Sequence, residues 1–329
     1  MSADHSPTRP PAAVFAAGAA AGLLADALLG DPRRGHPVAA FGRAAGAVED
    51  LLWRDHRGWG ALHTLLCAGG TAGVAALADR AVRRRGRPAA AALTAATVWA
   101  VVGGTTLARE ARAIGGALAA GDLEVARERL PHLCGRDPQA LDGPAMARAV
   151  VESVAENTSD AVVGALVWGA LAGVPGLAGF RAVNTLDAMV GHRSPRHLRF
   201  GWASARLDDL AGWPGARLTA LLAAAAGGDR AAAVRAWRAD AHRHPSPNAG
   251  PVEAAFAGAL GVRLGGALSY GGRVEHRPLL NADGRDVEVA DIERAVALSR
   301  RVTLGALAVC AGGRLAVSAV RKRRKAGGA

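Results

Sequence analysis

Aromatic side chains are scarce in this sequence. Phe, Trp and Tyr make up 4% of its 329 residues, and Tyr270 is the only tyrosine. A formal net charge of +12 suggests nucleic acid, but so few stacking platforms and no nucleic-acid motif argue against that partner. Cysteine is scarcer still. Cys67, Cys134 and Cys310 are widely spaced and lack a CxxC pairing, which excludes a disulfide framework or a zinc site and points to a reducing compartment. Neither GxxxxGKS nor GxxxxGKT occurs, and there is no GxGxxG on a strand–turn–helix, no GxSxG and no HExxH. Ordinary P-loop, dinucleotide-fold, hydrolase-elbow and zincin chemistries therefore drop out. Cations are also missing from one long stretch, since no Lys or Arg lies between Arg148 and Arg181.

Half of the residues are apolar, and the mean hydropathy is +0.14 although 21% are charged. The two coexist because they segregate into apolar runs and charged connections, the pattern of a multi-pass membrane protein. The expected fold class is all-α: a multi-pass helical membrane protein with amphipathic cytoplasmic helices and loops, as one domain over 1–329. Residues 1–11 are expected to be disordered, and 321–329 form a basic tail. Basic clusters at 83–87 and 321–325 adjoin apolar stretches, as positive charge does on the cytoplasmic side of spans.

Runs 12–29, 59–82, 88–108, 161–183 and 302–320 are the candidate spans. Ala25-Asp26-Ala27 mimics a signal-peptidase site, but Arg9 is the only preceding cation, so a first membrane helix carrying Asp26 is the better reading. The stretch from Gly30 to Trp59, with Asp31, Arg33, Arg34, His36, Arg43 and Glu49, reads either as a basic cytoplasmic loop or as an anion-facing turn. Residues 109–148 alternate charge and apolarity at three- and four-residue spacing, as an amphipathic helix pair ended by Pro131 does. Pro175-Gly176 predicts a break in the run 161–183. Residues 229–244 read as a basic amphipathic helix, and Ala254–Leu268 as an apolar, glycine-rich run. His192, His197, His242 and His244 lie in basic loops, where metal binding is the less common role.

The chain is organised around residues 151–160, VESVAENTSD. Steps of four keep side chains on roughly one helix face, drifting about 40° per step. Glu152, Glu156 and Asp160 then form one acidic ridge, with Asn157 beside it. Asn184 and Asp187, three residues apart, share a face, and Arg206, Asp208 and Asp209 follow at the next apolar boundary. Hard carboxylate and amide oxygens suit Mg²⁺, which keeps waters and is shared with substrate phosphates; arginines suit phosphate or carboxylate. The residues alone point to a membrane enzyme handling a phosphorylated, anionic substrate with Mg²⁺.

The runs GDPRRGHPV, GRDPQALD, AVVESVAENTSD, AVNTLDAMVGH, GWASARLDDLAGWPGARL, SPNAGPVEAAFAGALG and LGG…Y together resemble the CobD/CbiB family of cobalamin biosynthesis, in family order from Gly30 to about Gly272. That resemblance implies an adenosylcobinamide-phosphate synthase, which joins the corrinoid adenosylcobyric acid to (R)-1-amino-2-propanol or its O-phosphate through an amide bond, with ATP consumed. It implies a cell-membrane location with the site facing the cytoplasm, contact with membrane lipid, and other late cobalamin-pathway enzymes as partners. Glu152, Glu156, Asp160, Asn157, Asn184 and Asp187 are then the expected catalytic residues. Glu152, Glu156, Asp187, Asp208 and Asp209 are the expected metal ligands, and Arg136, Asp137, Arg206, Arg217 and Asn248 the expected ATP or phosphate ligands. Departures from the family pattern are Ala188 where it has Ser, a proline one residue early at Pro214, and Gly250-Pro251 where it carries an aromatic residue. Readings from other classes are a non-catalytic membrane protein of the AmpE type and a transporter, the latter suggested by the broken run and intramembrane charges.

Overall fold

A computed structural model describes residues 11–31, 35–192, 194–270 and 273–326. Arg33, Arg34, the end of the basic tail and most of the leading segment lie outside the described residues. In chain order the helices are α1 (Ala12–Leu29), α2 (Pro37–Leu52), α3 (Arg57–Thr64), α4 (Gly70–Arg83), α5 (Arg87–Val102), α6 (Gly104–Ala119), α7 (Leu123–Arg129), α8 (Gly143–Asn157), α9 (Gly164–Ala172), α10 (Val174–Leu186), α11 (Trp202–Ala226), α12 (Arg230–Asp240) and α13 (Ala249–Leu260). A hairpin of β1 (Leu264–Tyr270) and β2 (Arg273–Leu280) follows, and α14 (Ala290–Ala326) ends the chain. The protein is helical, as expected for a multi-pass membrane protein. Among the described residues, four helical stretches are long and apolar enough to cross a bilayer: Ala12–Leu29, Arg57–Arg83, Arg87–Ala119 and Ala290–Arg321.

Several local readings need correction. Residues 37–52 form α2 rather than a loop, because His36 accepts the Val38 N–H at 3.1 Å and Pro37 supplies the first helical φ. The run 161–183 is divided at Gly173, whose φ of +73° no side-chain residue adopts cheaply, with Pro175 in the first turn of α10. Neither half has spanning length. Ala254–Leu268 changes structure midway, closing α13 at left-handed Gly261 and then entering β1. Pro214 makes no turn; α11 passes through it.

The chain divides into two compact units that interleave along the sequence, where a single domain was expected. One comprises 1–102, 165–208 and 307–329, and the other 103–164 and 209–306. In the first, α1 packs on α5, and α10 packs on α4, α5 and α2. Gly60 is required there, since a Cβ would enter the Phe200 carbonyl. Buried His63 donates from Nε2 to the Ala45 carbonyl at 3.0 Å, and the Thr64 hydroxyl meets that of Ser204 at 2.8 Å. In the second unit α13 is buried along its whole length, against α8 and α12. Gly258 lets it approach the Ala232 carbonyl, where a Cβ would collide. Glu253 is the only charged residue of that helix.

Candidate active site

The second unit gathers charge around α8 and α13. Asp142 caps α8 by accepting the Ala145 N–H at 2.9 Å, which sets the helix after the 134–138 turn. That turn delivers Arg136, buried, into an ion pair with buried Glu152. The other Glu152 oxygen accepts the Gly265 N–H at 2.7 Å. Gly265 is available because the hairpin register slips there, opposite Pro278, and its φ is +85°. Glu152 therefore joins the turn, the helix and the hairpin.

Glu156, one turn on, is exposed. Asp160, half-buried, follows within a π-helical turn over residues 158–163. The Asn157 amide is turned inward, donating to the Ser153 carbonyl at 2.9 Å. Asp137 caps the next turn, accepting the Gln139 N–H at 3.1 Å. Arg136 is thus a buried partner of Glu152, while half-exposed Asp137 caps a turn.

Glu253 faces this group from α13. Burial, reinforced by the charges of Glu152 and Glu156 and only partly offset by Arg277 and Arg136, pushes its carboxyl well above the ordinary 4.5. His244 lies beside it, Nε2 to Oε1 3.8 Å, and Arg277 donates to that Nε2 at 3.3 Å. On the other side of the ring, Nδ1 accepts the Ser246 N–H at 3.1 Å and lies 3.3 Å from the Ser246 carbonyl. Burial first and the Arg277 charge second lower the His244 pKa, against the pull of Ser246 and Glu152, which favours a neutral ring. Nearby, Arg217 stacks on Trp213 at 4.7 Å and donates to Pro247 O at 2.9 Å and Asn248 Oδ1 at 3.1 Å. Asn248 in turn donates to the Asp209 carbonyl at 2.9 Å. Arg217 and Asn248 hold the 244–248 loop in place.

The first unit holds the remaining expected residues. Asn184 donates to Asp208 at 3.5 Å, and Asp187 begins a π-helical turn whose Gly191 leaves room for its carboxylate. Arg206 is exposed. A further cluster has Glu49 accepting from His197 at 2.9 Å and from Arg196 at 3.0 Å. Burial would raise the Glu49 carboxyl, but these bonds and charges outweigh it and hold it below the ordinary value. Among the described residues no three His, Cys, Asp or Glu side chains converge as a metal cage.

The sequence pattern did not single out Glu253 or Arg277, and it placed His244 only among histidines of basic loops. The signal at Glu152 was a ridge of acids beside an apolar run, and PVEAAFAGAL sets a single acid, Glu253, in a similar apolar setting.

The CobD/Cbib protein family matches residues 19–299. The Cobalamin biosynthesis protein CobD of Mycobacterium tuberculosis (strain ATCC 25618 / H37Rv) is 54% identical over 313 residues, covering 94% of this chain and 97% of that protein. The chain belongs to the CobD/CbiB family. Other relatives of the same name are 43% identical in Rhodobacter capsulatus (88% of this chain, 95% of the relative) and 44% identical in Chromobacterium violaceum (85% and 90%). No solved structure matches the chain significantly. Family membership makes this a cobalamin-biosynthesis protein, and both motif runs that carry the Glu152 and Glu253 cluster fall inside the matched region.

Proposed function

We propose that the protein is an adenosylcobinamide-phosphate synthase of the cell membrane, joining adenosylcobyric acid to (R)-1-amino-2-propanol or its O-phosphate with ATP. The supporting observation is the cluster of Glu152, Glu156 and Glu253 with Arg136, His244 and Arg277 in a family devoted to cobalamin synthesis. Amide formation needs an activated carboxyl group and a free amine. The carboxylate oxygen attacks the γ- or α-phosphorus of ATP and expels ADP or pyrophosphate as the acyl–phosphate linkage forms; the amine nitrogen then attacks the acyl carbon and expels phosphate or AMP. At neutral pH the amine arrives as an ammonium, so a base must take its proton before attack. Exposed Glu156 is suited to that task, and Glu253 beside it keeps the surroundings short of a third fixed negative charge. Glu152 and Arg136 position α8 and the hairpin.

In the first unit, Asp187 and Asp208 carry hard oxygens suited to Mg²⁺. Mg²⁺ needs only one or two carboxylates, completing its shell with water and phosphate, so the lack of a three-residue cage is compatible with it. Bound there, it would neutralise phosphate charge. The site is read as facing the cytoplasm, and neighbouring pathway enzymes are natural partners for a membrane-held corrinoid.

The test is growth of a strain unable to convert cobyric acid to cobinamide. Wild type restores growth and Glu156→Gln does not. Failure of inserted wild type would leave the scaffold or transporter reading; equal growth with the variant would remove Glu156 from the chemistry.

A further inference from the structure

A cavity in the second unit adjoins the candidate site through Arg277. It measures about 450 Å³ and is bounded by Arg243, Pro245, His276, Arg277 and Pro278. Two guanidinium groups and an imidazole thus share one concavity, and among the described residues none that lines it is acidic. Two prolines stiffen the walls. The arginines are also held. Arg277 donates to His244 Nε2 at 3.3 Å, and that ring is fixed by Ser246 on its other side. Arg243 leans on Asp240 at 3.4 Å, and Asp240 is itself anchored by the Asn281 N–H at 2.8 Å. A guanidinium whose direction is set before the ligand arrives loses less entropy on binding, and its planar fork matches phosphate oxygens two at a time. Arg243 and His276 are exposed, so the cavity opens to water and a charged ligand can enter.

We infer that this cavity is a phosphate-binding site, with Arg277 as its central contact and Arg243 and His276 as its flanks. The assignment deepens the proposed ligase reading and rests on it for the identity of the phosphate carrier, either the nucleotide or a phosphorylated small amine. The binding itself requires no turnover. His244 is a positioning residue here: its Nε2 meets Arg277 at 3.3 Å, and its role is to direct that guanidinium rather than to touch the ligand.

The experiment is equilibrium titration of the full-length protein in detergent with inorganic phosphate, ATP, (R)-1-amino-2-propanol O-phosphate and the unphosphorylated amine. Wild type, Arg277→Gln, Arg243→Gln and His276→Gln are compared, with a thermal melt for each. The expected result is that one phosphate-bearing probe loses roughly 10- to 100-fold in affinity with Arg277→Gln and less with the other two, while the free amine is unaffected. Loss confined to ATP assigns the nucleotide, and loss confined to the amine phosphate assigns the second substrate. His244→Gln should weaken the same probe by a smaller factor. If every phosphate probe binds wild type and all three lining variants equally, or none binds wild type, the site is overturned. Should complementation fail while the Arg277 dependence holds, the ligase reading falls and this site stands.

Discussion

Substituting Glu152 tests the scaffold beneath the candidate site most sharply. Glu152→Gln keeps the side chain's shape and an oxygen for the Gly265 N–H, yet leaves Arg136 without its closest countercharge in a buried setting. Breaking a buried pair from one side costs about 3–5 kcal/mol, because the surviving charge stays desolvated. The low end is expected here. Burial chiefly, and the Glu152 charge secondarily, raise the Glu253 carboxyl, so loss of the Glu152 charge relieves the smaller of those causes and offsets part of the cost. At roughly 2–4 °C per kcal/mol for a unit of this size, the melt should fall by about 6–12 °C. Arg136→Met alone should cost a similar amount, whereas Arg136→Met with Glu152→Gln should recover much of the loss, since no unpaired charge remains. The assay is intrinsic tryptophan fluorescence during thermal unfolding in detergent, run as a double-mutant cycle. Additive single effects, within about 0.5 kcal/mol, would refute the account of Glu152 as a charge-paired strut.

Stability should fall as pH rises above 4.5, because Glu253 binds its proton more tightly folded than unfolded and the folded state pays for losing it; in Glu253→Gln the melting temperature should decline less over the same pH range. Glu49 carries the opposite sign: its folded carboxyl is depressed, so the stability it adds is present above 4.5 and lost as pH drops through the folded value, and Glu49→Gln should flatten the acid limb of the melt curve. Gly60→Ala should sharply reduce the yield of monodisperse protein on size exclusion, since its Cβ meets the Phe200 backbone, whereas Gly73→Ala, with open space around it, should leave the yield intact.

The helical membrane architecture was legible because apolar runs and charge segregate over tens of residues, a signal that local packing does not disturb. Glu152 and Glu156 were legible for the same reason, as acids heading an apolar stretch without cations. What escaped depended on distant partners. Arg136 looked available for phosphate because nothing in the sequence says that the 134–138 turn folds back onto α8. Glu253 needed α8 and the hairpin beside α13 before its environment became unusual. The start of β1 was hidden inside a glycine-rich apolar run, where period alone does not separate strand from helix. Gly265, whose N–H leaves the ladder to meet Glu152, makes sense only once Pro278 is opposite it.

The most direct test of the central claim is an isotope experiment on purified protein with Mg²⁺, ATP, the amine substrate and adenosylcobyric acid bearing ¹⁸O in its free carboxyl group. ATP-dependent activation predicts an amide product of the expected mass, with one ¹⁸O transferred to inorganic phosphate by the acyl-phosphate route or to AMP by the acyl-adenylate route. Product that forms without ¹⁸O in either fragment, or no product from protein that is folded and membrane-competent, would contradict it.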